Sequence, residues 1–160
     1  MLTRVVNRAR AGLGYTLVEV LVALLVMTVG MLGVVAMLVE GLLASRLALQ
    51  QTEAVALAAD LGDRIRANRV AGNAYALAAG TELAAPAETC LVIDVCGPSE
   101  VAGLDLYDWQ QMVVATLPGA QTSVTVVPAG EVVANVYTIT IRWTQTGDSA
   151  PAGIVLEVQA

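Results

Sequence analysis

The dominant pattern in the sequence is an uninterrupted apolar stretch near the N-terminus. Residues 20–39 are uncharged and mostly apolar, and Glu19 is the only ionisable residue between Leu17 and Val39. As a helix this stretch is about 30 Å long, which is enough to cross the hydrocarbon core of a bilayer. A secretory signal peptide has a shorter apolar region of about 7–15 residues, followed by a small-residue cleavage site. No convincing site follows this stretch, so we predict a membrane helix.

The helical pattern continues beyond the apolar stretch in amphipathic form. Apolar residues recur there at helical spacing with polar residues mostly between them, namely Leu47, Ala54, Ala58, Leu61 and Ile65. No proline occurs before Pro86, and the first strong stop signal is at Gly72. We therefore predict one long helix from about Thr16 to Val70.

The C-terminal part of the sequence predicts a small globular domain. Residues 72–104 are rich in turn formers, whereas Asp105–Leu117 has a helical pattern with Asp105 as its candidate N-cap. The apolar face of that helix would consist of Leu106, Trp109, Val113 and Leu117. Three later segments alternate with the period of half-buried strands, namely Ser123–Val127, Tyr137–Trp143 and Ile154–Val158. The predicted fold class is α+β, with the long N-terminal helix packed on an antiparallel sheet of three or four strands.

Charge is distributed unevenly along the chain. Three of the eight basic residues precede the apolar stretch (Arg4, Arg8 and Arg10), which by the positive-inside rule predicts a cytoplasmic N-terminus. The rest of the chain carries five Arg and all 14 acidic residues. Nucleic-acid binding is not expected of such an acidic domain, because neutralising phosphates requires clustered basic residues.

The residue types that usually carry out catalysis are poorly represented. The chain has no His, and its four serines have neither His nor Lys as a base. No pattern of metal ligands or of nucleotide-binding glycines is present either. We therefore expect no enzyme activity and no cofactor. We also expect no metal site, with a loop calcium site built from scattered Asp and Glu as the alternative that stays open.

The two cysteines enclose five residues within the turn-rich segment. If this domain lies outside the cytoplasm, an isolated pair such as Cys90 and Cys96 usually forms a structural disulfide. A thioredoxin-type motif has only two residues between its cysteines, and a zinc site needs further ligands. The disulfide is the prediction, with two free buried thiols as the alternative.

The junction between the basic segment and the apolar stretch carries the most specific motif. It reads Arg8-x-Arg-Ala-Gly-Leu-Gly14-Tyr15-Thr-Leu-Val-Glu19, followed by apolar residues. This pattern resembles the leader and N-terminal segment of type IV pilins and pseudopilins. The resemblance implies that prepilin peptidase cuts after Gly14 and that Tyr15 becomes the N-methylated mature N-terminus. It also implies that Glu19 meets the N-terminal ammonium of a neighbouring subunit during assembly.

Later segments resemble minor pilins of the PilV class, the type IV pilus modification proteins. The resemblance is carried by Asp60–Arg69, by Leu104–Trp109 with the later Leu117-Pro-Gly, and by the strand ending at Trp143. It makes three arginines candidate partner contacts, namely Arg64, Arg66 and Arg69. Asp60 and Arg64 also form a plain helical pair at i and i+4, which is the structural alternative for that position.

The resemblance divides the chain into four parts. They are a basic leader (1–14), the membrane and assembly half of the helix (15–43), its amphipathic half (44–71) and an extracytoplasmic head (72–160). The function implied is a non-catalytic minor pilin that helps prime, assemble or modify type IV pili. Its partners would be other minor and major pilins, prepilin peptidase and inner-membrane lipid. It would lie in the bacterial inner membrane, with the head periplasmic, before entering the pilus.

Two alternatives to the minor pilin remain open at this stage. Within the same family, the chain could be a minor pseudopilin of a type II secretion system. From another class, it could be a single-pass membrane protein with an extracytoplasmic sensor or binding domain. An ordinary membrane anchor needs neither a cleavable Gly14 nor an acid such as Glu19 inside its leading edge, which disfavours the second alternative.

Overall fold

The computed structural model describes residues 14–85, 96–128, 134–145 and 151–160. The chain divides into two compact units, Met1–Ala44 and Ser45–Ala160. The first unit contributes the N-terminal part of helix α1 (Leu17–Ala67), and the second contains the rest of that helix and every later element. The predicted long helix is therefore confirmed, with its observed end slightly before the expected one.

Helix α1 ends where the chain changes to a tighter winding. A 3₁₀ helix (Arg69–Tyr75) follows it, and inside this segment Gly72 adopts φ 52°. This left-handed backbone conformation is readily available to glycine and costly for most other residues. The predicted stop signal at Gly72 thus lies inside the 3₁₀ helix, beyond the end of the α-helix at Ala67.

Within the second unit, one face of α1 forms part of the hydrophobic core. The residues of this face that are buried are Ala54, Ala58, Leu61, Gly62 and Ile65. A Cβ atom on Gly62 would lie 2.9 Å from Cγ2 of Val158, so the missing side chain allows close packing of helix and sheet. Leu47 has the same helical spacing but is 38% exposed, since the described core begins at Ala54.

Helix α2 (Pro98–Thr116) begins well before Asp105, so the predicted N-cap at that residue is wrong. Gly97 is the observed N-cap and Pro98 occupies the first turn. The backbone N–H of Gly97 donates to the Glu100 carboxylate at 2.8 Å. Asp105 consequently lies inside the helix, where its side chain is available for other contacts. The predicted apolar face of α2 is confirmed, since its four members are all buried: Leu106, Trp109, Val113 and Leu117.

The sheet contains three described strands, β1 (Gln121–Val127), β2 (Val136–Trp143) and β3 (Ala152–Gln159). They are antiparallel in the order β1-β2-β3, and each of the predicted strands is extended by one to three residues. The core side of β2 is formed by Tyr137, Ile139, Ile141 and Trp143, all of which are buried. The α+β fold predicted from the sequence is confirmed, with α1 packed on an antiparallel sheet.

Candidate processing and assembly site

The described residues before α1, 14–16, form a short irregular segment. Gly14 is exposed, and a Cβ atom placed on it would have no other atom within 4 Å. Tyr15 is 82% exposed. A peptide bond between two such residues is accessible from solvent, as a protease cleavage site must be.

Thr16 caps the N-terminus of α1. Its hydroxyl oxygen accepts a hydrogen bond from the backbone N–H of Glu19 at 3.3 Å. Its carbonyl oxygen accepts from the backbone N–H groups of Glu19 at 3.1 Å and Val20 at 3.3 Å. This role was not predicted from the sequence, although Thr16 followed three residues later by Glu19 has the spacing of a capping box.

Glu19 therefore lies in the first turn of α1, at the positive end of the helix dipole. It shares an open groove on the helix surface with Tyr15 and with apolar side chains, namely Val20, Ala23, Leu24 and Met27. Tyr15 and Glu19 thus both line a groove whose other described lining is apolar. Such an arrangement can hold one negative charge next to the position at which a new chain terminus would form after Gly14.

The described residues of the first unit, 14–44, form no apolar core of their own. All its large apolar side chains from Tyr15 to Leu43 are exposed, at values between 47% and 82%. Within the described residues, α1 is the one helix long and apolar enough to cross a membrane. Exposing such a continuous apolar surface to water is unfavourable. This part of α1 therefore requires lipid or other apolar helices around it.

Arg64 is engaged within its own subunit. Its guanidinium donates to Asp60 at 2.9 Å and to Asp105 of α2 at 3.3 Å. The Tyr75 hydroxyl donates to the other oxygen of the Asp105 carboxylate at 2.6 Å. Asp105, Arg64 and Tyr75 thus link α2, the end of α1 and the 3₁₀ helix; we call these three residues the Asp105 network.

Burial and charge in the Asp105 network shift two pKa values. Partial burial alone lowers the pKa of Arg64, but the negative charges of Asp60 and Asp105 outweigh it and raise that pKa. The pKa of Tyr75 is raised above its usual value, mainly because the side chain is removed from water and also because its hydroxyl donates to Asp105. Both groups therefore keep their protons throughout the neutral range.

The other two candidate partner arginines are more exposed than Arg64. Arg66 pairs with Asp63 at 2.8 Å, and both side chains of this pair are more than half exposed. Arg69 is exposed at the first position of the 3₁₀ helix. Exposed ion pairs contribute little to stability. A partner role for the three arginines stays a prediction, and Arg66 and Arg69 are the two whose side chains are exposed.

We expect Asp105→Ala to destabilise the second unit by about 2–3 kcal/mol, because the change leaves Arg64 and the buried Tyr75 without their shared acceptor. Asp108→Ala is the matched control, since Asp108 is an exposed carboxylate on the same helix. Its expected effect is within about 0.5 kcal/mol. Urea unfolding of the full chain in detergent, followed by tryptophan fluorescence, measures the difference. Equal midpoints for the two variants would show that the Asp105 network contributes nothing measurable.

Two predicted features involve residues outside the described part of the chain. Cys90 is one of these residues, whereas Cys96 lies immediately before Gly97 at the start of α2. The Cys90–Cys96 disulfide therefore stays a prediction. The basic residues Arg4, Arg8 and Arg10 also lie outside the described residues.

Comparison with known families matches two consecutive parts of the chain. Residues 10–35 match the family model of the prokaryotic N-terminal methylation motif. Residues 36–107 match the family model described as Type IV pilin Tt1218, or Tt1218-like. No curated protein and no solved structure matches the chain. The first match contains Gly14, Tyr15 and Glu19, and the second covers the rest of α1 and the first half of α2.

Proposed function

We propose that this chain is a minor pilin of the PilV class. The two family matches support the broader assignment, a type IV pilin subunit. It acts as a structural subunit that helps prime, assemble or modify the pilus. The observation that carries the proposal is the groove at the start of α1, where Glu19 and Tyr15 adjoin an exposed apolar helix. The PilV class rests on the sequence resemblance.

Processing is the first step of the proposed function. Prepilin peptidase cuts after Gly14 and methylates the new amino group of Tyr15. The exposed, irregular backbone at this position supports such a cut, because a protease must bind its substrate in an extended conformation. Thr16 provides the helix cap independently of the leader, so α1 keeps its N-terminal cap after cleavage.

Assembly is the second step, in which the apolar part of α1 exchanges lipid for neighbouring helices. Apolar helices slide past one another in lipid at little cost, so packing alone does not set their register. A buried carboxylate sets the register of the helices, because burying it is costly unless an opposite charge lies beside it. The amino group of Tyr15 on a neighbouring subunit supplies that charge for Glu19.

We assign the second unit to the periplasmic side of the inner membrane and later to the pilus surface. The three arginines before the apolar stretch support this orientation through the positive-inside rule. Arg66 and Arg69 are the proposed contacts to neighbouring subunits, because both side chains are exposed. A minor pseudopilin of a type II secretion system would share every step above and differ only in the assembly that contains it.

Intact-mass measurement of the protein extracted from inner membranes tests the processing step. We expect a mass that lacks residues 1–14 and carries one added methyl group. Gly14→Val should leave the leader attached, because a branched side chain at the cut blocks the peptidase. Gly12→Val is the matched control and should be processed normally. A full-length mass for the wild-type chain, or normal processing of Gly14→Val, would refute the pilin proposal.

A further inference from the structure

The outer edge of β3 carries backbone groups that the sheet does not use. Asn135 and Ala160 exchange two backbone hydrogen bonds, at 2.9 and 3.1 Å, at one end of the β2–β3 pair. In an antiparallel pair such hydrogen-bonded positions recur at every second residue. The N–H and C=O groups of Val158, Leu156 and Ile154 therefore point towards β2. Those of the intervening residues, among them Val155 and Glu157, point away from the sheet.

The opposite edge of the sheet is closed by the chain itself. At the centre of β1, Val124 exchanges two backbone hydrogen bonds of 2.9 Å with Leu77, from the segment before α2. Among the described residues no segment pairs in this way with the outer edge of β3. In the part of the chain that the structure describes, the two edges of the sheet are thus unequal, and the edge of β3 is the one left unpaired.

The core side of β3 is incompletely covered. Ile154 and Leu156 are only half-buried, whereas Ile141 and Ile139, their partners on β2, are 0% exposed. The β2 residues are flanked by strands on both sides, whereas the β3 residues have a strand on one side only. A further strand beside β3 would remove additional apolar surface of Ile154 and Leu156 from water.

Apart from the charged Glu157, the edge also lacks the features that normally protect exposed strands from pairing. Natural edge strands are usually blocked by lysine, proline, bulges or short length. β3 contains neither lysine nor proline, and its register with β2 is unbroken over eight residue pairs. Its single charged residue is Glu157, and its exposed centre is Val155, at 65%. This strand is therefore suited to strand addition.

We propose that β3 accepts an extended, basic segment of another polypeptide as a fourth strand of the sheet. The incoming segment alternates apolar residues, which cover Ile154 and Leu156, with polar or basic residues on the outer face beside Glu157. Opposite charges on neighbouring strands stabilise a sheet, and the net charge of −6 on this chain attracts a basic segment. A second copy of this chain carries the same negative charge and is disfavoured as the occupant. The proposal does not depend on the pilin assignment.

A fluorescent peptide of alternating valine and lysine tests this proposal. Its binding to the full chain in detergent micelles is measured by the increase in its fluorescence anisotropy. Val155→Lys, at the centre of the free edge, should weaken binding at least tenfold. Val127→Lys is the matched control, because Val127 is a valine on β1 with a similar exposure of 59%. It should bind the peptide as the wild-type chain does. Circular dichroism checks that both variants are folded.

A second peptide separates strand addition from simple charge attraction. Methylating every backbone nitrogen of the same peptide keeps its charge and removes the hydrogen-bond donors of both its edges, so its binding should also fall at least tenfold. Equal binding of the two peptides, or undiminished binding by Val155→Lys, would overturn the proposal. Rapid formation of disulfide-linked dimers by Val155→Cys, but not by the wild-type chain, would also overturn the proposal. Such dimers would show that a second copy of the chain lies at the edge.

Discussion

Glu19→Ala should accumulate as mature protein in the inner membrane and be depleted from sheared pili. Gly14 is unchanged in this variant, so the leader is still removed. The hydroxyl of Thr16 still caps α1, because it accepts from the backbone of residue 19 and not from its side chain. Insertion and folding are therefore expected to be normal, and the loss appears only when the helix enters a bundle.

The size of this effect follows from the charge that Glu19 would meet in the bundle. An ammonium group 4 Å away attracts a carboxylate by about 4 kcal/mol at an effective dielectric constant of 20. In the isolated subunit, the interaction with the helix dipole stabilises a carboxylate in the first turn by only about 0.3–1 kcal/mol. Assembly thus provides most of the favourable interaction, and removing the carboxylate penalises the assembled state selectively.

Glu40→Ala is the matched control for this experiment. Glu40 is also an exposed carboxylate of the first unit, but it lies beyond the apolar stretch and far from the start of α1. We expect Glu40→Ala to enter pili at close to the wild-type amount. Immunoblots of inner-membrane and sheared fractions measure both variants. Wild-type incorporation of Glu19→Ala would refute the role of this carboxylate in assembly.

Ile141→Asp should unfold the second unit, whereas Thr140→Asp should be mild. Ile141 is 0% exposed on the core side of β2. A carboxylate there would be buried without a partner, at an expected cost above about 4 kcal/mol. Thr140 is half-buried on the opposite side of the same strand, where a carboxylate can reach water at a cost of about 1 kcal/mol.

Thermal unfolding followed by circular dichroism and tryptophan fluorescence separates these two variants. Both tryptophans lie in the second unit and are almost completely buried, so their fluorescence reports its packing. Ile141→Asp should show an unfolded spectrum at room temperature, and Thr140→Asp a transition close to that of the wild-type chain. Equal transition temperatures for the two variants would refute the assignment of Ile141 to the buried face of β2.

The features that could be predicted from sequence are those with a strong local period. The apolar stretch and the spacing from Ala54 to Ile65 predicted α1, since a helix repeats its buried face every three to four residues. Alternation of apolar and polar residues predicted the three strands. The motif around Gly14 and Glu19 was also visible, because its residues are close neighbours in the chain.

The role of Asp105 could not be predicted in the same way. An aspartate just before an apolar helical face has the appearance of an N-cap, and only the earlier start at Gly97 and Pro98 excludes that role. Its actual partners are distant in sequence, 41 residues away at Arg64 and 30 residues away at Tyr75. Local preferences carry no information about contacts over such separations.

By itself, then, the sequence determined the helix, the strands and the N-terminal motif, because each depends on residues within a few positions of one another. Tertiary structure alone decided that the described core begins at Ala54 and leaves Leu47 exposed. It also decided that Leu77 closes β1 while the outer edge of β3 stays available among the described residues. Alternation of side chains shows which face of a strand is buried, but the neighbours of that strand are set by pairing between distant segments.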